Sequence, residues 1–169
     1  SINAFFMYCM TQKIKITHSN AVSLYLLSTQ YEISTLNRKT KKYIIKHYNE
    51  VINDVLAKLK DNDGKFQISN VIENLISDHF PEYLTDDRLL YIHISPLNRI
   101  ITQYLKNYCH YNSNSYEIND NDIEIQLIDF LFKYINKYGP SSSFLISMVI
   151  FGKNGSLHLN DLLSENSEN

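Results

Sequence analysis

Ser95-Pro96-Leu97-Asn98-Arg99-Ile100-Ile101-Thr102-Gln103-Tyr104-Leu105-Lys106-Asn107-Tyr108 is the stretch that decides the fold class. Serine directly before proline reads as an N-cap followed by proline at the first helical position, where the fixed φ suits a helix and the missing N–H is not needed. Behind it Leu97, Ile100, Ile101, Tyr104, Leu105 and Tyr108 recur at helical spacing, so this segment predicts a long helix with one face in a core. The same period repeats on either side. Ile68, Val71, Ile72, Leu75 and Ile76 mark a helix over 68–79, with Pro81 just beyond it, and Val51, Val55, Leu56 and Leu59 mark one over 50–59. Between these helices and the deciding one, Thr85-Asp86-Asp87 caps a short turn around Leu89 and Leu90.

Nearer the N-terminus, Asn20 is read as the N-cap of a helix through Ala21, Val22, Leu24, Tyr25, Leu27 and Tyr31. Ser34 is read as the cap of the next, with a stripe of Leu36, Thr40, Tyr43, Ile44 and His47. The Glu32-Ile33 turn makes the two antiparallel. Ile2 to Met10 is strongly apolar and predicts a short buried helix, while the alternation in Lys13-Ile14-Lys15-Ile16-Thr17 predicts a short strand or an extended link. On the C-terminal side, 109–121 reads as a linker. After it Ile123, Leu127, Ile128, Leu131, Ile135 and Tyr138 form one stripe, with Ile125 and Phe132 adding a second, so this helix is expected to pack on two sides before Gly139-Pro140 ends it. An apolar element from Phe144 to Phe151, a turn at 152–155 and an amphipathic piece at Leu157, Leu159, Leu162 and Leu163 complete the chain. The fold class expected is mainly α, an array of helical hairpins with at most one short strand.

Composition narrows the function classes. The chain has 169 residues, 44% of them hydrophobic, enough for one core or two small ones. With 4 Gly and 3 Pro it lacks the turn-makers of a many-stranded barrel and the glycines of a phosphate cradle. Sixteen Lys and Arg stand against 18 Asp and Glu, a formal charge of -2, which lacks the basic excess of a general nucleic-acid binder. The apolar stretches 127–132 and 144–151 fall short of the roughly 20 residues that a membrane span needs. Two cysteines, Cys9 and Cys109, at no motif spacing read as reduced thiols of a cytoplasmic protein. The start Ser-Ile-Asn-Ala, without initiator Met or basic n-region, reads as a fragment of a longer chain.

Candidate chemistry is sparse. Asp61-Asn62-Asp63-Gly64 resembles a calcium loop, but with Gly64 as sixth position the first is Leu59 and the twelfth Asn70, so two principal ligands are missing. Asn119-Asp120-Asn121-Asp122 reads as an N-cap for the helix that follows. Cys109 and His110 are neighbours whose side chains diverge by about 100° on a helix, so they form no thiolate-imidazole pair there, and nothing in the spacing brings Cys9 to His18. The histidines at 18, 47, 79, 93, 110 and 158 form no zinc spacing. No catalytic residue, cofactor or metal ligand is expected. Arg38, Lys39, Lys41, Lys42 and Lys46 surround the stripe of their helix as a solvated face, or as a contact for an acidic partner.

The order of the first 47 residues, an apolar helix, a Lys-Ile-Lys-Ile-Thr segment and the helix pair from Asn20 to Ile44, resembles the C-terminal half of a BTB/POZ domain. Residues 48–108 are similar to the BACK-type helices that continue many such proteins. Ile128 to Gly139, followed by Ser141 to Phe151, resembles the segment (122–169 in outline) that precedes ankyrin repeats in protist BTB-like proteins. The resemblance implies a non-enzymatic adaptor whose partners are other proteins. It also implies a truncated BTB end at 1–47, whose helix would lack its usual cover and self-associate through Ile2, Phe5, Phe6 and Met10. A self-contained helical bundle resembling the viral apoptosis inhibitors, which hold an amphipathic partner helix in a groove, is the alternative. An apolar helix enclosed by its neighbours would favour the bundle, and helix pairs stacked in chain order the adaptor.

Overall fold

Helical period in the sequence becomes helix almost everywhere in the computed structural model, which describes residues 2–112 and 120–142 with the side chains of 108–112, 120–122 and 124 outside that description. Among the described residues there are eight α-helices, two 3-10 turns and no strand. The chain divides into two compact units, Ser1–Ile76 and Ser77–Asn169, and the division falls within one helix, α5.

The first unit holds α1 (Ile2–Thr11), α2 (His18–Gln30), α3 (Ser34–Lys46), α4 (Tyr48–Asp61) and the greater part of α5 (Asn70–Asp78). Between α1 and α2, residues 13–17 are an extended link and pair with no strand. The alternation there has a local cause: Ile14 and Ile16 pack on the core formed by Phe5, Tyr8, Leu24 and Leu36, while Lys13 and Lys15 face water. Two of the expected caps sit elsewhere. The N-cap of α2 is Thr17, not Asn20, whose Oδ1 instead accepts from the Thr17 N–H at 2.9 Å, the return half of a capping box. Ser34 is already inside α3, whose N-cap is Ile33 without a side-chain bond. At the start of α5, Ser69 takes the cap role, its Oγ accepting from the Ile72 N–H at 3.4 Å.

From Asn20 to Ser28 no residue of α2 is exposed, and α1, α3 and α4 all pack against it. The turn into α3 is a Schellman motif: Ile33 N–H reaches the Ser28 carbonyl at 2.8 Å and Glu32 N–H reaches that of Thr29 at 3.2 Å. Glu32 adopts the left-handed φ of 54° that this geometry requires. In α3 the buried row is Leu36, Thr40 and Ile44, and in α4 it is Val51, Ile52, Val55, Leu56 and Leu59.

The second unit starts with the end of α5 and α6 (Phe80–Tyr83), in which Pro81 opens the helix rather than merely following one. A 3-10 turn over Asp87–Tyr91 is capped as expected, Asp86 accepting from the Arg88 N–H at 2.9 Å and gripping its guanidinium, which holds that group in its charged form. Next, α7 (Ile94–Asn112) begins one residue before Ser95, so Ser95 is not its cap: the His93 carbonyl accepts the first helical bond, from the Leu97 N–H at 3.1 Å. Pro96 still sits in the first turn, where no donor is needed. All of Leu97, Ile100, Ile101, Tyr104 and Leu105 are buried. The helix runs on to Asn112, past the point where the linker is expected to begin, and α8 (Asp120–Tyr138) starts before that linker's expected end; 113–119 lie outside the described residues.

On α8 the buried row is Leu127, Phe130, Leu131 and Tyr134. Ile125, Phe132 and Tyr138 are exposed, so among the described residues the helix packs on one side only. Phe80 meets Tyr104 at 5.3 Å and the edge of Phe130 at 6.3 Å, an aromatic centre for this unit. The buried Tyr134 hydroxyl donates to the Ile92 carbonyl at 2.9 Å, and burial raises its phenol above the ordinary tyrosine range. Gly139 ends the helix at φ 86°, its N–H bonded to the Ile135 carbonyl at 2.7 Å, before the second 3-10 turn at Pro140–Ser142. The element expected at 144–151 and the leucines at 157, 159, 162 and 163 fall outside the described residues.

Candidate interaction surface

Helix α1 carries no charged residue, so no part of its surface is drawn to water by charge, and its orientation is set by what it packs on. Phe5 and Tyr8 enter the core beside Leu24 and Leu36, and the Tyr8 hydroxyl pairs with Thr35 Oγ1 at 2.9 Å. At 100° per residue, Phe6, Met7 and Met10 fall on the opposite arc together with Asn3, and Ile2 lies at its margin. Ile2 is 61% exposed, Phe6 59%, Met7 56% and Met10 83%. The expected uncovered set therefore needs one correction: Phe5 belongs to the intramolecular core at 5% exposure, and Met7 takes its place on the open face. Tyr31, also exposed, stands at 5.3 Å from the Phe5 ring and extends the apolar surface beyond α1. Met side chains in such a face adapt to varied partners, because the thioether chain has three rotatable bonds and a polarisable sulfur.

The other sequence candidates find structural roles. Asp61-Asn62-Asp63-Gly64 is the C-terminal cap of α4: Gly64 N–H bonds to the Leu59 carbonyl at 2.7 Å, Asp63 N–H to that of Lys60 at 3.2 Å, and Asn62 Nδ2 to that of Lys58 at 2.7 Å. Asp63 and Gly64 hold positive φ, 49° and 76°, and Asp61 and Asp63 are exposed. Cys9 is an exposed free thiol with no bond to His18. Among the described residues no group of three or more His, Cys, Asp or Glu side chains converges as a metal site, and no helix is long and apolar enough to cross a membrane. Tyr104 lies at the core edge against Phe80, while the side chains of Tyr108, Cys109 and His110 lie outside the described residues. Tyr43 and His47 stack at 4.5 Å on α3 and its C-cap.

Arg38, Lys39, Lys41, Lys42 and Lys46 are all exposed on α3, which contains no acidic residue. Lys39 lies over the Tyr8 ring at 5.9 Å. Compared with known families, with curated proteins and with solved structures, the chain matches none.

Proposed function

We propose that this chain is a non-enzymatic protein–protein interaction module. The observation that carries the reading is the open face of α1: Ile2, Phe6, Met7 and Met10 stand in solvent on a helix whose other side is locked into the core by Phe5 and Tyr8. Apolar side chains gathered on one face, rather than scattered singly, mark contact surfaces. The first occupant proposed is a second copy of the chain, because an uncharged face is complementary to itself and a two-fold contact needs only that. Light scattering over a concentration series tests it. The chain is expected to self-associate, and Phe6→Asp with Met10→Asp, both at exposed positions, to shift it towards monomer without loss of helicity. A chain that stays monomeric at high concentration would exclude the self-contact.

Two finer readings remain proposals. The adaptor reading, a BTB-like end with BACK-like helices, is supported by the resemblance of residue order described above and by the α2–α3 hairpin. Enclosure of α2 between α1, α3 and α4 favours the self-contained bundle that receives an amphipathic partner helix.

A further inference from the structure

Most described ion pairs on the helices are local: Lys58 pairs with Asp54 and Lys133 with Asp129, each one turn away. Helix α3 breaks that habit. Arg38, Lys41, Lys42, Ile45 and Lys46 fall at i, i+3, i+4, i+7 and i+8, which is one stripe of a helix, and every one of them is exposed. Among the described residues, Arg38, Lys41, Lys42 and Lys46 form no ion pair or hydrogen bond through their side chains, and Arg38–Lys42 and Lys42–Lys46 are like-charged neighbours one turn apart, which oppose the helix they stand on. Ile45, 52% exposed, sits between these cations as a lone apolar anchor.

We infer that this stripe is a docking surface for an acidic helical segment of another protein, with carboxylates set one turn apart to meet Arg38, Lys41, Lys42 and Lys46 and one apolar side chain to cover Ile45. Charge complementarity selects the partner, since carboxylates relieve the repulsion that the helix otherwise carries. Arg38 offers a planar fork for bidentate contact, and the lysines act as point charges. A bare phosphate backbone would leave Ile45 uncovered. An anionic membrane needs a broader apolar face than a single isoleucine supplies. The proposal shares the class of function given above but uses a different helix, so the two fail separately.

The test uses the full chain and a labelled helical peptide with glutamates at i, i+3, i+4 and i+8 around one leucine, read by fluorescence anisotropy. Binding is expected, weakening by about tenfold as salt rises from about 50 to about 300 mM. It should be lost by about tenfold or more in Lys41→Glu with Lys42→Glu, and weakened severalfold in Ile45→Ala. Phe6→Asp with Met10→Asp should leave it unchanged. If the double reversal does not fold, Lys42→Gln carries the same test with one charge removed. No binding, equal binding of a glutamine version of the peptide, or binding unaffected by these α3 variants would overturn the inference. So would duplex DNA or phosphatidylserine vesicles that bind as tightly as the peptide, since either would make the stripe a general anion surface.

Discussion

Helices α1 and α7 are both rich in apolar residues, yet α7 buries every described residue of its expected stripe while α1 buries only Phe5 and Tyr8. The difference lies in what stands between the apolar residues. In α7, Arg99, Gln103 and Lys106 occupy the back of the helix and face water, so a single arc is left for the core. In α1 no charge marks an outside and only Asn3 and Thr11 interrupt the apolar run, so periodicity does not single out one arc for the core. Contact with Leu24 and Leu36 selects one arc, and the remainder is left in solvent. Period predicts which face is buried only when polar residues define the other one.

The sharpest way to break this comparison uses two adjacent phenylalanines. Phe5→Ala empties a core position and is expected to destabilise the chain by ~3–5 kcal/mol, whereas Phe6→Ala on the open face should stay within ~0.5 kcal/mol. Urea denaturation of both variants, at a concentration low enough to keep the chain monomeric, measures the contrast. Equal losses would mean that α1 is buried on both sides. On α7, Ile101→Ala is expected to destabilise by ~2–5 kcal/mol, because Ile101 is fully buried. A change under about 0.5 kcal/mol would show that the helix presents a different face to the core.

The same logic accounts for what could be read from the sequence. The mainly α class, the extents of α2, α3 and α4 to within a few residues, and the stripes of α3, α4 and α7 followed from periodicity, since each of those helices has a polar side. Caps were less readable. A cap is set by one residue's φ and one side-chain rotamer: Thr17 and Asn20 both offer polar side chains at the start of α2, and at the start of α3 the cap is the apolar Ile33, which makes no side-chain bond and leaves no polar signal to read. On α8 the expected row is half right: Leu127 and Leu131 are buried, but Ile128 and Ile135 suit the period as well as the buried Phe130 and Tyr134 do. What settles it is tertiary, the Phe80 ring against Phe130 and the Ile92 carbonyl that accepts from Tyr134. The open face of α1 was half readable, because the apolar run was evident but its inner arc was not. Met7 could have been found from its position one turn before Met10.

Tyr134 gives a smaller, pH-dependent test of the α8 packing. Tyr134→Phe leaves the buried Ile92 carbonyl without this donor and is expected to destabilise by ~1–2 kcal/mol. The folded state holds the phenol's proton more tightly than the unfolded state does, so Tyr134's contribution is fully present below the unfolded value of about 10 and is lost as pH rises above it. The stability gap between the chain and Tyr134→Phe should thus be constant at neutral pH and narrow above about pH 10. A gap that does not change with pH would mean that the hydroxyl is solvated.

The smallest effects distinguish how the helices end. In the second unit, α8 stops on Gly139, while in the first unit α1, α2 and α4 stop on Gln12, Glu32 and Asp63 at φ 58°, 54° and 49°. A side chain in the left-handed region crowds its own backbone by roughly 1–2 kcal/mol, and glycine avoids this at the expense of greater freedom in the unfolded chain. Nothing lies within 4 Å of a Cβ added at Gly139, so Gly139→Ala measures the backbone term alone and should destabilise by ~1 kcal/mol. Glu32→Gly should act in the opposite sense and stabilise by ~0.5 kcal/mol, because the Schellman bonds from Glu32 and Ile33 are made by the backbone and survive the exchange. Thermal unfolding of the two variants side by side decides it. Loss of stability in Glu32→Gly would show that the Glu32 side chain supports the α2–α3 turn, and that the hairpin depends on more than its backbone geometry.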